Sequence, residues 1–207
     1  MGDLRVVEVF ADVVCPFTHV GLRRLTSQRE ARGRGDVVLR CRAWPLELVN
    51  GAPLDPALVA EEVAALRESV APDLFEAFDA DRFPRTSIPA LSLAAAAYRV
   101  GLTTGEHVSL ALRSAVFEEG RNLEDPAVLA AIAVDAGLGP DAAAVDEDAV
   151  RGDWEQGARR GVVGSPHFFV DGTGLFCPSL RITHDEHGFS IEFDRPGFDD
   201  FVARCFG

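Results

Sequence analysis

The chain has 207 residues and a formal net charge of −13, with arginine as its strong base and no lysine. That balance argues against a basic nucleic-acid-binding face and against docking on anionic membranes. No apolar run approaches the roughly 20 residues that cross a bilayer, and the length suffices for one sizeable domain or a core with an inserted subdomain.

A strand-like run starts at Arg5 and leaves no room for a secretory signal, so the expected home is the cytoplasm, where thiols stay reduced. Four cysteines, Cys15, Cys41, Cys177 and Cys205, are too scattered for a metal cluster or a disulfide framework. The arginine and alanine bias hints at a GC-rich genome.

Taken in order, Arg5–Ala11 is nearly continuous in β-branched and aromatic residues and predicts a strand covered on both faces. Pro16 suits a first helical turn because its missing N–H costs nothing there. A helix is expected from it toward Arg32, ended by Gly33-Arg34-Gly35. Arg34-Gly35-Asp36 is also an adhesion tripeptide, but its glycine-rich setting reads as a plain turn. A second strand is expected over 37–44, with Val37, Leu39, Cys41 and Ala43 in phase. Pro45, Gly51, Pro53 and Pro56 then punctuate a loop.

From about 55 to 160 the spacing turns helical. Helices are predicted over 58–66 and 88–100, and a third opens with a Thr103/Glu106 capping box and runs to about Glu119. A fourth opens at Asp125-Pro126 and closes at Gly137, and a last runs from about Asp146 through Trp154 to Gly161. Strands return as a hairpin, 166–170 and 175–182 around the turn 171–174. A second turn at Asp185-Glu186-His187-Gly188 precedes 189–193. The terminal helix places Phe198, Phe201, Val202, Cys205 and Phe206 on one apolar face. This order describes an α/β core, residues 1–54 and 161–207, with an all-helical insertion at 55–160.

The stretch Asp12-Val13-Val14-Cys15-Pro16-Phe17-Thr18-His19 sits where a strand hands over to a helix. Free N–H groups and the helix dipole there stabilise an anion, and a thiolate is an anion. Thr18 can add a hydroxyl hydrogen bond, so Cys15 is expected to have a lowered pKa and to be a nucleophile; a buried, inert cysteine is the plain alternative. Cys41 and Cys205 read as small buried hydrophobes. Asp12 either relays protons or shapes the turn. His19 either tunes Cys15 or lies on a helix surface. His184 and His187 flank acidic residues in a turn and make a poor metal site, so no metal is expected.

Residues 12–18 resemble the active-site turn of DsbA-like thioredoxin-fold proteins, the FrnE-like branch especially. Phe117-Glu118-Glu119-Gly120-Arg121-Asn122-Leu123-Glu124-Asp125-Pro126 resembles a helix junction of that group, and 161–172, with Gly164-Ser165-Pro166-His167, resembles its proline loop and hairpin. The resemblance covers nearly the whole chain and implies a thioredoxin-like fold. It also implies a cis bond from Ser165 to Pro166 against Cys15, with exposed backbone at Ser165 and Pro166 pairing with an extended peptide or a thiol compound; His167, next to Pro166, and Phe17 are candidate substrate contacts by position.

Thr18 stands where that family carries a second cysteine, which points to a single-thiol oxidoreductase or thiol transferase: Cys15 attacks a disulfide and a small thiol, glutathione or mycothiol, resolves it. No tightly bound cofactor is expected. Cys177 is either a resolving thiol, brought opposite about Phe168 by the hairpin, or a packed strand residue.

Kappa-class glutathione transferases and 2-hydroxychromene-2-carboxylate isomerases resemble the chain in fold order but carry serine at position 15. They supply a second reading, an enzyme binding a small thiol and an aromatic substrate, with Phe10, Phe17, Phe168 and Phe169 either lining its pocket or filling the core. A third is a non-catalytic binding module. Partners are expected to be a disulfide-bearing protein or a small thiol; a homodimer is left open.

Overall fold

The computed structural model describes residues 4–186 and 188–207. Strand β1, Arg5–Ala11, passes through α1, Pro16–Ala31, into β2, Val37–Ala43, which pairs parallel to β1. Much later β3, His167–Val170, returns antiparallel to β1 with Phe10 opposite His167, and β4, Thr173–Phe176, pairs antiparallel to β3. The order β2-β1-β3-β4 puts β1 in the interior, and Val7, Val9, Phe10 and Ala11 are fully buried, which accounts for its nearly continuous apolar run.

Between β2 and β3 lie α2, Leu46–Asn50; α3, Pro56–Ser69; α4, Ile88–Val100; α5, Leu102–Phe117; α6, Pro126–Asp135; and α7, Glu147–Arg159. After β4 come β5, Leu180–Asp185, and β6, Gly188–Phe193, paired in a separate two-stranded sheet, and α8, Arg195–Phe206. The five expected residues of α8 are all buried, with Phe201 against Phe168 at 4.7 Å between ring centres. On another side of the sheet, α7 crosses so near that a side chain at Gly157 would meet the Trp44 ring at 2.7 Å and Phe10 at 2.9 Å.

The helices are joined to the sheet by more than apolar packing. Alternate N–H groups along β2 point away from β1, and an open row of this kind invites pairing with other chains. Here each finds a side chain from a different helix: Leu39 N–H donates to Glu106 on α5 at 2.6 Å, Cys41 N–H to the Tyr98 hydroxyl on α4 at 2.9 Å, and Ala43 N–H to Asp153 on α7 at 3.1 Å. The helical segment closes the sheet edge as a further strand would.

Three local expectations fail. The proline- and glycine-marked loop contains α2, started by Pro45 and stopped by Gly51 at φ 72°. The Thr103/Glu106 capping box does not form, because Glu106 is drawn to Leu39 and to Arg29 at 2.5 Å, and α5 starts behind Gly101. The strand expected over 175–182 breaks: Cys177 turns left-handed at φ 41°, Pro178 offers no N–H for a ladder, and the chain leaves for a second sheet.

Candidate active site

Cys15 is the N-cap of α1, with extended backbone and Pro16 following at the first helical position. The preceding turn is tied down by Asp12, which is 1% exposed. One carboxylate oxygen accepts Val14 N–H at 3.2 Å; the other accepts Leu46 N–H at 2.6 Å, at the start of α2, and the Ser87 hydroxyl at 3.1 Å, just before α4. Arg113 of α5, itself 1% exposed, donates to the Asp12 carbonyl at 3.3 Å and to Ser109. Burial is the dominant influence on the Asp12 carboxyl and pushes it up to about 6, against the opposing hydrogen bonds and the charge of Arg113. Asp12 thus ties the turn to α2 and to the segment before α4.

Opposite this turn, the Ser165–Pro166 bond is cis. The Cys15 thiol donates to the Ser165 carbonyl at 3.3 Å. The Ser165 hydroxyl oxygen accepts Asp12 N–H at 3.0 Å and lies 2.8 Å from the Thr18 hydroxyl. With Asp12 N–H donating to Ser165, either hydroxyl can donate to the other, and the hydroxyl hydrogen left over, on Thr18 or on Ser165, is available to the sulfur of Cys15.

The expectation of a lowered Cys15 pKa fails in the resting site. The residue is 2% exposed, and burial raises the thiol above its ordinary value. The Thr18 and Ser165 hydroxyls and the Thr18 N–H pull it down, and the nearby charge of Glu62 pushes it up. The expected stabilising contacts are present, but desolvation outweighs them.

Other expected site residues divide. Pro16 is buried and Phe17 packs half-buried against the main apolar cluster. His19 is neither at the surface nor turned to the sulfur. It lies between Phe75 and Phe117, and its Nε2–H donates to Glu118 at 2.5 Å. Burial holds its pKa below the ordinary value, in part offset by Glu118. His167 alternates to the face of β3 opposite Phe168, stacks on Phe169 at 5.0 Å, and accepts Val163 N–H at 3.3 Å. It is thus a loop support and does not face Cys15. Phe10 and Phe168 are fully buried core residues.

Cys177 lies level with Pro166, not Phe168, and its N–H donates to the Pro166 carbonyl at 3.0 Å. Cys41 and Cys205 are buried away from this turn in the cluster with Val7 and Phe201. His184 stacks on Phe189 at 4.2 Å, and His187 falls outside the described residues.

The sequence reading missed Arg113, Ser87 and Glu62. Arg113 carried a signal, an arginine on a helix stripe of Leu112, Ala115 and Val116. Glu62 carried none; it flanks the buried Val59, Val63 and Leu66, and burial pushes its carboxyl up to about 7.

The family model of the DSBA-like thioredoxin domain matches residues 6–184. Among solved structures, the probable DsbA oxidoreductase of Streptomyces coelicolor is similar at a TM-score of 0.62 and 20% identity, covering 90% of this chain and 98% of that one. The cytosolic disulfide reductase DsbM of Pseudomonas aeruginosa gives 0.58 and 16%, covering 96% and 95%. A 2-hydroxychromene-2-carboxylate isomerase gives 0.60 and 15%, covering 83% and 88%. A search of the curated proteins found no match. No helix of the described residues is long and apolar enough to cross a membrane.

Proposed function

The chain belongs to the family of DsbA-like thioredoxin domains, and from that premise we propose that it is a thiol–disulfide oxidoreductase or thiol transferase of a reducing compartment, with Cys15 as its nucleophile. The observation that carries this reading is the convergence of the Cys15 thiol and the Thr18 hydroxyl on Ser165, immediately before the cis Pro166. Cys15 attacks one sulfur of a substrate disulfide, the substrate's S–S bond breaks, and the departing sulfur leaves as a thiol with the Cys15 proton. The mixed disulfide is then attacked by a low-molecular-weight thiol, which restores Cys15 and carries the substrate sulfur away as a new disulfide.

The burial of Cys15 fits a thiol that stays protonated until substrate arrives. As the sulfur leaves the Ser165 carbonyl and gains negative charge, the hydroxyl chain of Ser165 and Thr18 turns a donor toward it. Glutathione is one candidate for the small thiol, and mycothiol the other; the DsbM of Pseudomonas aeruginosa has been solved with glutathione. The test is reaction of the reduced protein with glutathione disulfide, followed by mass-spectrometric peptide mapping. A glutathione adduct on Cys15, absent from Cys15→Ala, supports the reading; an unmodified Cys15 overturns it.

The protonated, hydrogen-bonded resting thiol also favours a second reading, in which position 15 serves as a hydrogen-bond donor to a bound small thiol in an isomerase or transferase. Cys15→Ser separates the two, since a hydroxyl preserves that role and abolishes disulfide exchange.

A further inference from the structure

Two cysteines hang from the proline loop on neighbouring carbonyls. Cys15 holds the Ser165 carbonyl through its thiol at 3.3 Å, and Cys177 holds the Pro166 carbonyl through its N–H at 3.0 Å. Cys177 packs in the apolar cluster that contains Val13, Val14 and Val20, the residues on either side of Cys15, with Phe17 against it. The main chain at Cys177 has φ 41°, a left-handed conformation that glycine, asparagine and aspartate adopt readily and cysteine seldom does. A cysteine in place of the residue types that suit this backbone puts a sulfur beside the nucleophile's turn. Strained backbone of this kind is a pointer to function when a reactive neighbour is present.

We propose that Cys177 is an internal resolving thiol, which converts the mixed disulfide on Cys15 into a Cys15–Cys177 disulfide. The inference rests on the reading of Cys15 as the nucleophile and replaces its external resolving step with an internal one. The Cys177 sulfur attacks the Cys15 sulfur of the mixed disulfide. The bond from Cys15 to the substrate sulfur breaks, a bond from Cys15 to Cys177 forms, and the departing sulfur takes the Cys177 proton. Cys177 is oxidised and the substrate sulfur is reduced. Two molecules of a small thiol then reduce the internal disulfide and leave as their own disulfide.

Burial pushes the Cys177 thiol up to about 12, and the charge of a Cys15 thiolate adds to that rise. That charge is absent both from the protonated resting Cys15 and from a mixed disulfide, so burial is the influence left on Cys177 in either state. The seldom-adopted backbone has a place in this scheme as well: it falls where the chain leaves β4 and Cys177 N–H still holds the Pro166 carbonyl.

The experiment treats the reduced full-length protein with limiting glutathione disulfide, quenches with acid at successive times, and maps each cysteine. The expected course is a transient glutathione adduct on Cys15, replaced by a Cys15–Cys177 cross-link with loss of the adduct, while Cys41 and Cys205 remain thiols. In Cys177→Ser, and in Cys177→Gly, which suits the left-handed backbone, the adduct persists. An adduct that persists equally in the unaltered protein, with Cys177 still open to alkylation after unfolding, overturns the inference and leaves the function of Cys15 standing. A Cys15 that carries neither adduct nor cross-link at any time overturns both. The mapping on the unaltered protein holds even if a variant misfolds.

Discussion

Replacing Thr18 with valine removes the hydroxyl that lies 2.8 Å from Ser165 and is the strongest influence holding the Cys15 thiol down against burial. A hydrogen bond to a charged group is worth about 1.5–3 kcal/mol, and one pKa unit corresponds to about 1.36 kcal/mol. The Cys15 pKa is therefore expected to rise by about one to two units. At neutral pH the thiolate fraction falls by the same factor, but nucleophilicity grows with basicity at a slope of about 0.4–0.5, which returns nearly half the loss. The net result is an alkylation rate lower by roughly 3- to 15-fold near pH 7, and a higher plateau rate at alkaline pH. The assay is the pH profile of iodoacetamide modification, read at Cys15 by peptide mapping. Thr18→Ser, which keeps the hydroxyl, is expected to restore the profile. An unchanged midpoint and plateau in Thr18→Val would show that the hydroxyl does not reach the sulfur and would refute the hydroxyl chain.

Other perturbations have equally definite outcomes. Asp12 has a folded pKa raised from 3.8 to about 6, so the folded form binds the extra proton between those values. Its contribution is complete below the lower value and lost as pH rises through the upper, about 3 kcal/mol across the window. In Asp12→Asn that pH-dependent part should disappear from urea midpoints compared with the unaltered protein at pH 3.5 and 7, even though the variant is less stable throughout; equal pH slopes would contradict it. Arg113→Met strips the buried cation from beside Asp12 and should cost roughly 3–5 kcal/mol in urea unfolding; a cost below about 1 kcal/mol would mean that the charge is not needed there. Tyr98→Phe leaves Cys41 N–H and the Leu39 carbonyl, 2.9 and 3.0 Å from the hydroxyl, without their partner. A loss of about 1–3 kcal/mol is expected, with Cys15 alkylation in the folded state unaltered.

The sequence by itself determined the features whose causes are local. Pro16 after Cys15, Asp125 before Pro126 and Gly33 beyond α1 mark helix ends because capping and left-handed turns involve residues a few positions apart. The nearly continuous apolar run of β1 and the stripe of Phe198, Phe201, Val202, Cys205 and Phe206 declare burial through their pattern. Together they were enough for an α/β core with a helical insertion, whereas the grouping of Cys15 with Ser165 and Pro166 came from the resemblance to DsbA-like proteins and not from local spacing.

Tertiary structure decided what depends on distant partners. Arg113 reaches Asp12 across 101 positions, Glu106 abandons its helix end for a sheet edge 67 positions away, and His19 turns from Cys15 to Glu118. The same holds for the break at Cys177-Pro178, which a run of strand-forming residues does not announce. The charge state of Cys15 belongs here most of all. The helix start and the hydroxyls that favour a thiolate are legible in eight consecutive residues, but desolvation is a sum over everything packed around the sulfur, and only the folded chain supplies that sum.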